Sequence, residues 1–75
     1  MTRIEIYKEM SRTVDFHLKI INFLKIQNNK TVAMQFYTAI INLVNNYYRF
    51  NRLTFDAKNY FINRIANNTE WIFKE

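Results

Sequence analysis

The sequence predicts an all-α protein: a small antiparallel three-helix bundle with its second helix central and room for a short fourth helix at the C-terminus. Three observations carry this. Gly and Pro are both absent from the 75 residues, so two-residue hairpins and most tight turns lose the residues they depend on. Thr31 to Tyr48 holds no charged side chain, and Ala33, Phe36, Ile40, Leu43, Tyr47 and Phe50 follow one another three or four apart, the spacing of one helix face. The apolar register also changes at two polar breaks, Asn28–Lys30 and Asn51–Leu53.

Helix 1 is predicted from Arg3 to Gln27. Its inner seam is Tyr7, Met10, Val14, His17, Ile21 and Leu24. A second apolar stripe, Phe16, Ile20 and Phe23, runs beside the seam, with Ile6 nearer the start. Glu5, Lys8, Arg12, Asp15 and Lys19 take the solvent side, and Glu9 to Arg12 and Asp15 to Lys19 have helical ion-pair spacing. In the break Asn28-Asn29-Lys30 an Asn can take the left-handed backbone that ends a helix, and Thr31 is the expected cap of helix 2. Helix 2 runs to Phe50, with a second stripe of Met34, Tyr37, Ile41, Val44 and Tyr48. So little charge places this helix in the interior. Thr54 caps helix 3, and Asp56 sits in its first turn, where negative charge suits the dipole. Asn67-Asn68-Thr69 leaves two outcomes open, one continuous helix or a break followed by a short terminal one. Short connections make neighbouring helices antiparallel.

One domain is expected from this length. A chain of this size buries only ~60% of its unfolded surface. It has no Cys to staple it and a single His. Disulfides, thiolate chemistry and His/Cys zinc sites are thereby excluded, and oligomerisation is a common remedy for so small a core. No apolar run reaches membrane-spanning length and the N-terminus lacks a signal-like apolar segment, so the expected location is cytoplasmic. Abundant Phe, Tyr, Ile, Asn and Lys with only four Ala and four Leu suit an A+T-rich genome, such as that of a phage or other mobile element.

Chemistry is hard to find. Ser11 and Asp15 share a helix face but His17 does not, so these three cannot converge as a triad. The six acidic residues form no acid–base pair. His17, on the inner seam, reads as a core histidine hydrogen-bonded to backbone or a neighbour rather than as a general base or pH switch. No enzyme, cofactor or metal site is expected, and no motif points to a family.

The leading expectation is therefore a protein-interaction module: an inhibitor, adaptor or assembly subunit that binds a host protein or itself as an oligomer. Its expected contact residues are Phe16, Ile20, Phe23, Trp71 and Phe73, more apolar surface than three short helices hide. The alternative is a nucleic-acid-binding regulator. The net charge is +5, and antiparallel helices gather Arg3, Lys8, Arg49, Arg52 and Lys58 at one pole beside Tyr48, diluted by Glu5 and Asp56. Basic side chains among rings suit phosphates and stacked bases. Helix 3, with Lys58, Asn59, Asn63 and Arg64, is the one candidate reading helix. A membrane-surface role is a third, weaker reading.

Overall fold

The computed structural model describes residues 2–74. Three α-helices follow one another, α1 (Arg3–Ile26), α2 (Lys30–Arg49) and α3 (Phe55–Asn68), and a short 3-10 turn spans Glu70–Phe73. No strand occurs among the described residues. The 24 residues of α1 rise about 36 Å at ~1.5 Å each, close to the 39 Å long dimension of the molecule. α3, with 14 residues, is too short to cover that length. The 3-10 turn extends its cover, which places Trp71 and Lys74 beside Asn22 and Lys25 near the end of α1. α2 packs against α1, α3 and the 3-10 turn, but only three of its residues are buried, compared with five of α1.

Two asparagines do the work that glycine does in other chains. Asn28 and Asn51 both adopt positive φ, 54° and 61°. Each closes its helix in the same way. The Asn28 N–H donates to Lys25 O and the Asn29 N–H to Leu24 O; the Asn51 N–H donates to Tyr48 O and the Arg52 N–H to Tyr47 O. This pairing satisfies carbonyls that the helix end leaves free. With Asn28 left-handed, Asn29 becomes the N-cap of α2, accepting from the Val32 N–H at 3.2 Å. Thr31, the expected cap, lies inside the helix instead. The other ends match expectation closely. Thr54 accepts from Ala57 N–H at 3.1 Å, and Thr2 accepts from Glu5 N–H at 3.2 Å. Gln27 and Phe50, expected as last helical residues, are the C-cap positions of α1 and α2.

Of the two outcomes open at Asn67-Asn68-Thr69, the chain takes the break. Thr69 is almost fully buried and its hydroxyl donates to Ile65 O at 2.8 Å, satisfying a carbonyl that a continued helix would have bonded. The segment beyond is a single 3-10 turn, not an α-helix. Ile72 from this turn enters the core. The Lys30 ammonium donates to Lys74 O, joining the turn to the start of α2.

The core comprises Met10, Val14, Leu18, Ile21 and Leu24 of α1, Ala33, Ile40 and Val44 of α2, Leu53 of the second loop, Phe61 and Ile65 of α3, and Ile72. Two features differ from the predicted seams. In α1 the buried arc is wider than the predicted seam: Met10, Val14, Ile21 and Leu24 are buried as expected and Leu18 joins them, whereas His17 is half-buried and Tyr7 is exposed although its ring packs on Phe61 of α3. In α2 only three residues are fully buried, and Phe36, Leu43 and Tyr47 are partly buried against the core. Phe50, a predicted core position, lies 68% exposed because the helix ends at Arg49. Neither expected intrahelical ion pair forms. Asp15 pairs with Arg64 of α3, linking the two helices; such exposed pairs contribute ~0–1 kcal/mol.

Candidate functional site

The outer side of α1 carries Phe16 and Phe23, 62% and 57% exposed. They fall about half a turn from Val14 by helical spacing, so no rearrangement of rotamers turns them inward. Phe16 meets His17 edge-on at 6.1 Å, and His17 meets Phe36 of α2 at 6.1 Å. The half-buried Ile20 and Phe36 thus continue an apolar band from the outside of α1 toward α2. His17 Nδ1 lies 2.8 Å from Thr13 O. A carbonyl only accepts, so Nδ1 carries the proton and donates, as the core-histidine reading anticipates. Arg12 and Lys19 border the band.

Trp71 and Phe73 do not join this band. Trp71 is half-buried against the core and shares a cleft with Asn22 and Lys25. Phe73 packs edge-on against Tyr37 at 5.2 Å. Lys25 and Phe23 are about 160° apart on α1 by helical spacing, so the five predicted contact residues divide between two surfaces. Phe36 escaped notice because its heptad position reads as core.

The cationic residues divide as well. Arg3, Lys8 and Arg52 line one cleft of 360 Å³, where the start of α1 meets the α2–α3 loop and the first turn of α3. Ile4, Tyr7, Leu53 and Ala57 give it an apolar floor, of which Leu53 alone is fully buried, and Thr54 completes the lining. Among the described residues no carboxylate pairs with these three cations. Arg52 sits over the Tyr47 ring, 5.6 Å from its centre, and also borders a second cleft with Leu43, Tyr47 and Phe50. Lys58 lies elsewhere, over the rings of Tyr48 and Phe55 at 4.7 and 4.8 Å. Arg49 is exposed, half a turn from Ile40, and lines neither cleft. The predicted basic pole is thus assembled from Arg3, Lys8 and Arg52, without Tyr48, Arg49 and Lys58. Its apolar floor was invisible to periodicity, because Leu53 comes from a loop and Ile4 from outside the seam.

Among the described residues no group of three His, Asp or Glu side chains is placed to hold a metal ion, and no helix is long and apolar enough to cross a membrane. No protein family, curated protein or solved structure matches the chain.

Proposed function

We propose that this chain is a protein-interaction module whose docking face is the outer side of α1, with Phe16, Ile20 and Phe23 at its centre and Phe36 on its flank. The observation that carries this is the pair of exposed rings at Phe16 and Phe23 on a well-formed helix, bordered by Arg12 and Lys19 in the manner of an apolar patch with a charged rim.

The occupant in this reading is a second copy of the chain. A 75-residue protein with no cysteine gains most from oligomerisation. The face is self-complementary: two α1 helices laid antiparallel, with the axis near Lys19 and Ile20, set each Phe16 against the other copy's Phe23. Magnitudes are consistent with an association of moderate strength. A ring with more than half its surface in water exposes ~100 Å², which is worth ~2.5 kcal/mol when covered. Four such rings give ~10 kcal/mol against an association cost of ~4–15 kcal/mol. The rings alone therefore roughly break even, and the flank formed by Ile20 and Phe36 decides the outcome. As an inhibitor, adaptor or assembly subunit of a phage or mobile element, the pair would act by occluding or bridging other proteins.

Sedimentation equilibrium of the full chain tests this. A dimer that dissociates at micromolar concentration is expected, and a strictly monomeric protein at millimolar concentration rules out the second copy as occupant. If a monomer instead captures a host protein through the same face, the occupant is that protein and the site stands.

A further inference from the structure

The cleft between the start of α1 and the α2–α3 loop has a second chemistry, independent of the α1 face. We infer that it binds a free single-chain anionic amphiphile: a fatty carboxylate of roughly ten to twelve carbons. The alkyl chain lies on the floor and the carboxylate is held between Arg3, Lys8 and Arg52.

Three observations lead to this class of ligand. The floor made by Ile4, Tyr7, Leu53 and Ala57 is almost purely apolar. A nucleobase placed there would bury its polar edges without partners, which is costly, whereas an alkyl chain has none to satisfy. The rim holds three cations with no carboxylate paired to them among the described residues. Arg presents a planar fork that matches a carboxylate, and two of the three lining cations, Arg3 and Arg52, are arginines. The volume, 360 Å³, lies at the small end of small-molecule clefts and suits one medium chain.

The backbone builds this geometry. The left-handed Asn51 ends α2 and turns the chain so that Leu53 is buried as the back wall while Arg52 stays at the rim. Thr54 then starts α3 at once, which brings Ala57 under the cleft.

The test is a methyl-resolved NMR titration of the full chain with monomeric dodecanoate, repeated with dodecyltrimethylammonium and with phosphatidylglycerol vesicles. Saturable shifts at the Ile4, Leu53 and Ala57 methyls with dodecanoate, and none there with the cationic amphiphile, are expected. Arg3→Ala combined with Arg52→Ala should weaken dodecanoate binding about tenfold or more with the helical circular dichroism and melting point unchanged. Phe23→Ser, outside the cleft, should bind dodecanoate as the wild type does, so failure of the α1 interface leaves this result standing. No saturable shift at these methyls, an equal response to the cationic amphiphile, or a response to vesicles without one to monomeric dodecanoate would each overturn the inference.

Discussion

On the inner side of α1, Met10, Val14 and Ile21 are closed off from solvent, while half a turn round the same helix Phe16 and Phe23 keep more than half their surface in water. The outer residues are the larger and no less hydrophobic. What separates the two faces is register: α2 and α3 together enclose only one arc of a helix in a three-helix bundle. A third neighbour would be needed to cover the rest, and the described chain has none. The difference teaches that apolar content in so small a bundle exceeds what the bundle can bury, and that the surplus falls where the helix has no partner.

The comparison is sharpest where the inner face is damaged. Phe61 is fully buried and packs against the rings of Tyr7 and Tyr60, with centroids at 5.0 and 5.2 Å. Phe61→Ala should lower stability by ~3–5 kcal/mol. Set against roughly 4–11 kcal/mol for a chain of this length, that loss takes the protein close to unfolding; urea denaturation followed by circular dichroism measures it. Next come two α2 positions that periodicity treats as equal. Ile40 is fully buried and Leu43 is not. Ile40→Ala should cost ~2–5 kcal/mol and Leu43→Ala clearly less; equal losses would mean that Leu43 is covered as fully as Ile40.

Loop closure comes third. Asn51 holds φ at 61°, a region that costs a β-branched residue ~1–2 kcal/mol. Asn51→Val should destabilise by about that amount, and Asn51→Gly should be neutral or slightly stabilising. Thermal melts of the two variants check the pair, and Asn28 should behave alike. The Asp15–Arg64 pair belongs at the small end. Its partners are partly exposed, so Asp15→Asn should change stability by ~1 kcal/mol or less.

These positions also mark what could be read from the sequence. The number of helices and the two breaks were legible because Asn, Thr and the change of apolar register act locally. The cap of α2 was not. Asn29 and Thr31 are both good capping residues, and the choice follows from Asn28 taking the left-handed conformation one residue earlier. Leu18 was missed for another reason. A strict heptad through His17 and Ile21 steps over position 18, which lies beside Arg64 and Asn68 of α3, a neighbour that periodicity within α1 does not contain. The exposed pair Phe16 and Phe23 was legible, since both lie off the seam. Their separation from Trp71 and Phe73 was not, because it depends on where the 3-10 turn lies. The cationic cleft was half legible: antiparallel topology brings Arg3, Lys8 and Arg52 together, but only the turn at Asn51 supplies the apolar wall of Leu53.

The central claim is that the outer face of α1 is an interface rather than misplaced core. Phe23→Ser tests it most directly, with urea denaturation and sedimentation equilibrium run on the same sample. A change of stability within ~0.5 kcal/mol, as for ordinary surface positions, together with loss of the dimer at concentrations where the wild type self-associates, is the predicted result. A variant destabilised by several kcal/mol from a wild type that is monomeric throughout would contradict it and return Phe23 to the core.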